Sequence, residues 1–272
     1  MSKKTKISNA PVYYALAQVQ FNPVAAMAKY VGEIQDQLRH EGYTLFEPRE
    51  ATHLQLNQGS EQEPLEPKVV PMTSWLITKE DRTAGFILTI SSLTFHTTHY
   101  NTREEFIPEL LRGLKIVHKV VKLEHMSRLG LRYLNAILPQ PGETIDQYLT
   151  AGLQGIALSA KRDYSLNESV FHTESRPLYQ TGRLVTRVLR VKSLLGYPPG
   201  LLPHALISLP TFEMKEPTDH AVIDLDHFAQ GILSLDFDKI KEQLFALHGT
   251  IKEAFKATIT DYAERTWFSK RK

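Results

Sequence analysis

The sequence predicts an α+β fold in two similar halves, each an antiparallel sheet with flanking helices, the second closed by a long C-terminal helix. Three observations carry this expectation. Near the middle of the chain, Ser127 to Pro139 alternates as a strand does, with Leu129, Leu131, Tyr133, Asn135 and Ile137 on one side and Arg128, Gly130, Arg132, Leu134 and Ala136 on the other. Two segments with apolar side chains at helical spacing follow start signals. The order strand, helix, strands, helix runs through residues 1–124 and again through 125–272, so the Ser127 strand, with one wet, cationic face, opens a second half.

Val12 to Phe21, rich in aromatic and β-branched residues, is the first strand, and Asn22-Pro23 after it is an N-cap residue followed by a proline suited to a first helical position. A helix is expected over residues 24–40, with Met27, Val31, Ile34 and Leu38 on its buried stripe and Gly42 marking its end. Leu45 to Gln55 is a short strand, and Gln58 to Pro71, dense in Gly, Ser, Glu and Pro, is a loop. Antiparallel strands follow at Ser74 to Lys79, Gly85 to Ser91 and Leu93 to Tyr100, with a turn at Glu80 to Thr83. Thr102 and Glu105 form a capping box ahead of a helix carrying Phe106, Leu110, Leu111, Leu114, Val117 and Val121.

In the second half, a further capping box, Thr144-x-x-Gln147, opens a short helix through Leu153. Strands are expected at Ala157 to Phe171, Arg183 to Lys192 and His220 to Phe228, while the prolines of Gly196 to Pro217 mark a surface excursion. Phe237, Ile240, Leu244, Leu247, Ile251, Phe255, Ile259, Tyr262 and Trp267 then step by mostly three and four. At 1.5 Å per residue, roughly 30 residues of helix span about 45 Å, enough to clamp both halves together.

The chain of 272 residues is long enough to bury a sizeable core, and 42% apolar with 23% charged side chains is ordinary globular composition. Its formal charge of +2 comes from the tips: without Lys3, Lys4, Lys6, Lys270, Arg271 and Lys272, 26 basic residues face 30 acidic ones. Whole-chain charge therefore supplies no general nucleic-acid footprint. The absence of cysteine excludes disulfides, thiolate metal sites and a cysteine nucleophile. With no apolar leader and no run approaching about 18 apolar residues, a cytoplasmic protein without a membrane span is expected.

Two segments, R-L-G-L-R-Y-L-N-A-I at Arg128 to Ile137 and A-F-K-A-T-I-T-D-Y-A-E-R-T-W at Ala254 to Trp267, stand out, together with D-L-D at Asp224 to Asp226 and F-x-P at Phe21 to Pro23. Over nearly the whole chain and in this order, they resemble a sporadically distributed family of uncharacterised bacterial and archaeal proteins. That family's first strand usually carries an early glutamate, where this chain reads Ala10-Pro11-Val12-Tyr13-Tyr14. The resemblance implies no activity. A patchy distribution implies mobile cassettes such as toxin-antitoxin or phage-defence modules.

No G-x-S-x-G, P-loop, G-x-G-x-x-G or H-E-x-x-H motif is present. His96 and His99 fall on opposite faces of a strand, so they do not converge on a metal. Asp224 and Asp226 share a strand face. Charge pairing across the sheet with Arg128, Arg132, Arg187 or Arg190 is the expected arrangement, and a Mg²⁺ site of nuclease type is the alternative. Arg128 and Arg132, about 13 Å apart by the strand rise, are candidates for binding phosphate or an acidic partner. Asn135, on the apolar face, is expected to be hydrogen-bonded for structural reasons. Tyr13, Tyr14, Trp75, Phe86, Phe95, Tyr100 and Tyr133 are expected in the core rather than as a base-stacking platform.

The function these features favour is that of a non-enzymatic interaction or regulatory protein, antitoxin-like or defence-associated, with no cofactor. A protein partner is expected, an adjacent gene being one source of it, with nucleic acid and a homo-oligomer as further options and no membrane. Recognition is expected at Gln58 to Pro71 and Gly196 to Pro217. The alternative is a nucleic-acid-binding protein or metal-dependent nuclease using the Arg128, Arg132, Arg187, Arg190, Asp224 and Asp226 faces.

Overall fold

The computed structural model describes residues 10–56, 67–156, 163–179, 181–198, 201 and 203–268, with the backbone alone at 51–56, 67–72 and 234. The elements are β1 (Val12–Phe21), α1 (Met27–His40), β2 (Leu45–Leu56), β3 (Pro67–Thr78), β4 (Ala84–Thr89), β5 (Ser92–Thr97), α2 (Arg103–Val121), β6 (His125–Ile137), β7 (Tyr164–Glu174), β8 (Thr181–Ser193), β9 (Thr218–Ser234), α3 (Phe237–Thr258) and α4 (Asp261–Phe268). The strands form one antiparallel sheet in the order β2-β3-β4-β5-β1-β6-β9-β8-β7. Its two portions join where β1 pairs with β6, Gln20 opposite Arg128 and Leu16 opposite Arg132. Among the described residues, no helix is long and apolar enough to cross a membrane.

One face of the sheet carries the helices. Ala15, Ala17, Val19 and Phe21 of β1 and Leu129, Leu131, Tyr133 and Ile137 of β6 are buried in one core with Ile34 and Leu38 of α1, Leu110 and Leu114 of α2 and Leu244 and Leu247 of α3. At the first-half end, Phe86 lies 4.7 Å from the ring of Tyr43 and 5.1 Å from that of Phe95. Gly113 of α2 sits against Phe86, and a Cβ built there would overlap the ring. Gly113→Ala is therefore expected to lose about 1–3 kcal/mol to overpacking, although alanine is the better helix former by about 1 kcal/mol; the urea midpoint measures the sign.

Several elements depart from expectation. The helix after β1 begins at Met27 rather than Val24, because the Val24 amide donates to the Ile90 carbonyl at 2.8 Å and holds residues 22–26 against the β4–β5 turn. In the segment expected as a loop, Pro67 to Pro71 continue β3, opposite Thr52 to Leu56. The prolines are tolerated there because β4 pairs only from Ser74 onward, leaving that stretch of β3 with one neighbour. The rest of that loop, 58–66, lies outside the described residues, as do 157–162 of the strand expected from Ala157. At α2 the capping-box bond is not made: Glu105 accepts from Asn101 Nδ2, and Thr102 Oγ1 has no partner among the described residues.

The expected helix over Thr144 to Leu153 resolves into two 3-10 turns, Ile145–Gln147 and Ala151–Leu153, and the residues between them explain the largest departure. The terminal helix is two helices, broken at Ile259-Thr260. Leu149 bridges to Ile259, the Thr150 amide donates to the Thr258 carbonyl, and the Thr260 amide donates to the Tyr148 carbonyl, both at 3.0 Å. A β-branched run Thr-Ile-Thr gives up helix cheaply, and Thr260 then caps α4 by accepting from the Ala263 amide.

The second face is also covered. A bulge between Val12 and Tyr14 puts both Tyr13 and Tyr14 on that side. There they pack with Leu134, Ala136 and Val222 beneath Tyr197, Leu201 and Phe212. The segment expected as a surface excursion is thus a strap across the sheet. It is tied down by Tyr13 Oη donating to the Gly196 carbonyl at 2.8 Å and Thr98 Oγ1 donating to the Ile207 carbonyl at 2.6 Å.

Candidate interaction site

Strand parity sorts the candidate residues. Arg128 and Arg132 on β6, Asp224 and Asp226 on β9, and Arg187 on β8 all stand on the face away from the helices. That face is not wet at these positions. Arg132 donates through Nε and Nη2 to both oxygens of the fully buried Asp224, each at 2.7 Å, and Arg187 Nη1 reaches Asp224 Oδ2 at 3.3 Å. Arg187 Nε also donates to Glu168 of β7 at 2.5 Å. The result is a ladder of alternating charge across four strands.

A second rung lies alongside. Arg128 donates to Gln18 Oε1 at 2.8 Å, stands 3.8 Å from Asp226, and lays its guanidinium 4.2 Å over the Phe228 ring. Burial works against the Arg132 charge, but the hydrogen bonds and charge of Asp224 more than offset it, so the guanidinium is held above its ordinary value. Burial pulls Arg128 below its ordinary value, with Asp226 opposing. It pushes the Asp226 carboxyl up, against Arg128 and Arg132. Three arginines meet three carboxylates, Asp224, Asp226 and Glu168, so these rungs carry no surplus charge. Both Asp224 oxygens are already committed to guanidinium groups. Among the described residues, no group of three or more His, Asp or Glu side chains is placed to hold a metal ion.

Arg190 does not join this set. It stands opposite Ala221 on the helix face, bound to Asp146 and to the Gln154 carbonyl, both at 2.7 Å. Asn135 is buried and donates to the Ile223 carbonyl at 3.3 Å. His96 is buried on the second face at 3.0 Å from Tyr14 Oη. Tyr13, Tyr14, Trp75, Phe86, Phe95 and Tyr133 are buried core residues, and Tyr100 packs against them.

Four exposed apolar side chains gather on the β7 edge, which sequence reasoning did not single out. Among the described residues, β7 pairs with β8 alone. Tyr164, Leu166, Val170 and Phe171 on it are between 40% and 57% exposed. The opposite edge, β2, carries Pro48 and the charged Glu47, Arg49 and Glu50, devices that discourage strand addition. β7 has no proline, and its apolar side chains point to both faces. Beside it, between the sheet and α3, lies a groove of about 400 Å³ lined by Leu153, Ser169, Phe171, Leu184, Ala254 and Ala257. The sequence signal was present: Tyr164, Leu166 and Val170 share one parity while Phe171 takes the other, so one-sided packing on the sheet leaves part of the set uncovered. In comparisons with protein-family models, curated proteins and solved structures, nothing matches this chain.

Proposed function

We propose that the protein is a non-enzymatic interaction protein of the bacterial cytosol, an antitoxin-like or defence-associated component. It captures an extended segment of a partner protein as an added strand along β7. The observation that carries this reading is the proline-free β7 edge with its four exposed apolar side chains and flanking groove. Backbone hydrogen bonds along a free edge supply affinity, and alternate side-chain contacts supply selectivity. The paired state of Arg128, Arg132 and Arg187 favours this reading over a phosphate-binding or nuclease one.

In the same reading, two halves of one plan make a rigid platform. In each, the last strand of a meander returns beside the first, β5 next to β1 and β9 next to β6, and a helix follows. The terminal helices α3 and α4 stand where a single long clamp was expected.

Val170→Lys tests the docking edge. The side chain is exposed, so stability should change by no more than about 0.5 kcal/mol. A partner protein that co-purifies stoichiometrically with the wild type from its host should be lost. Retention of the partner by the variant, or oligonucleotide binding with a steep salt dependence, would overturn the assignment.

A further inference from the structure

The side chains along β7 set the chemistry of a strand added to that edge. Successive positions point to opposite faces of the sheet, and Tyr164, Leu166, Glu168, Val170 and His172 share the face away from the helices, each of them exposed. On that face the charge ladder runs outward from β6 as Arg132, Asp224, Arg187 and Glu168, and it ends on a carboxylate at the sheet edge. Arg187 Nε donates to Glu168 Oε2 at 2.5 Å, but the same guanidinium is shared with Asp224, and the Glu168 side chain is 42% exposed. An ionised carboxylate has two oxygens and about four acceptor sites, so Glu168 can take a further donor from beyond the edge. Two places away on either side stand apolar neighbours, Leu166 at 46% and Val170 at 40% exposure.

We infer that the segment captured along β7 carries the pattern apolar-x-basic-x-apolar, with Lys or Arg opposite Glu168 and the two apolar side chains opposite Leu166 and Val170. This rests on the strand capture proposed above and adds the chemistry of what is captured. Across paired strands, opposite charges placed face to face stabilise and like charges destabilise. The next place in the ladder beyond Glu168 therefore belongs to a cation. The pattern reads the same in both directions, so it holds for an added strand of either polarity. One intervening residue falls opposite Ser169, on the other parity, where it meets the groove beside α3. A second copy of β7 does not supply the pattern, because Tyr164–Glu174 contains neither Lys nor Arg.

The peptide S-V-T-R-T-V-S and its counterpart with glutamate at the centre, titrated into the full chain at low salt and followed by NMR shifts of the β7 amides, test the inference. The arginine peptide should bind saturably and about fivefold more tightly than the glutamate peptide. Glu168→Lys should reverse that preference, and Glu168→Gln, which keeps the shape and removes the charge, should abolish it. Arg187 retains Asp224 in both variants, so both should fold, as urea midpoints will show. Binding of neither peptide, equal binding of the two by the wild type, or an unchanged preference in Glu168→Lys would each overturn the pattern. So would a dimer of the free chain in sedimentation that Glu168→Lys disperses, which assigns the edge to a second copy. Strand capture itself fails by a different result, a host partner that stays bound to Val170→Lys.

Discussion

Asp224→Ala is expected to cost about 3–5 kcal/mol, the range found when one member of a buried ion pair is removed. The size follows from what stays behind. Arg132 loses two hydrogen bonds of 2.7 Å and Arg187 loses one of 3.3 Å, and both guanidinium groups remain mostly buried with no carboxylate between them. Urea denaturation read by circular dichroism should show the midpoint falling with little change in slope. Because Arg187 keeps Glu168, most of the penalty belongs to Arg132, and the double variant Asp224→Leu with Arg132→Met should recover part of the loss. A cost below about 1 kcal/mol for the single variant would mean that the ladder does not hold β6, β9 and β8 together.

Acid should weaken the fold steeply, with His96 as a principal contributor. Burial, reinforced by the nearby His204, holds the His96 imidazole down to about 3, against an ordinary value of 6.5. The folded protein therefore refuses a proton that the unfolded chain accepts. Stability is fully present above pH 6.5, falls as the pH drops below that value, and levels off near pH 3, where the folded state also titrates. One such group contributes a slope of about 1.4 kcal/mol per pH unit inside that window. His248, held by burial at about 4, and His227, lowered by burial, act in the same direction. His96→Asn keeps a polar atom for Tyr14 and removes the titration, so urea midpoints between pH 6.5 and 4 should fall less steeply by about one proton; an unchanged slope would contradict the assignment.

Much of the framework was legible because it depends on local pattern. β1 falls on Val12–Phe21 as expected, and α2 follows Thr102 as the spacing of Phe106, Leu110 and Leu114 requires. What escaped was set by neighbours distant in sequence. Arg128 and Arg132 look solvent-facing from their own strand, yet Asp224 and Asp226 arrive from β9, almost a hundred residues later. Ile259 keeps helical spacing, and only the backbone of residues 148–150 draws it out of the helix. The strap over Tyr13 and Tyr14 has too many prolines for regular structure, but Tyr197, Leu201 and Phe212 gave it apolar anchors that proline counting ignores. One error was avoidable: Arg187 and Arg190 are three apart on a strand, and odd spacing places them on opposite faces.

The pairing of β1 with β6 has a consequence for the order in which this protein can assemble during synthesis. β1 emerges first, but its partner on one side arrives more than a hundred residues later. At roughly 5–20 residues per second, a nascent chain therefore carries an open strand, with the tyrosines of its bulge uncovered, for several seconds before β6 leaves the ribosome. The interval before the strap follows is longer still. Chaperone dependence and aggregation of prematurely terminated chains should concentrate in that interval, and ribosome-stalled lengths ending before and after Ile137 would separate the two states.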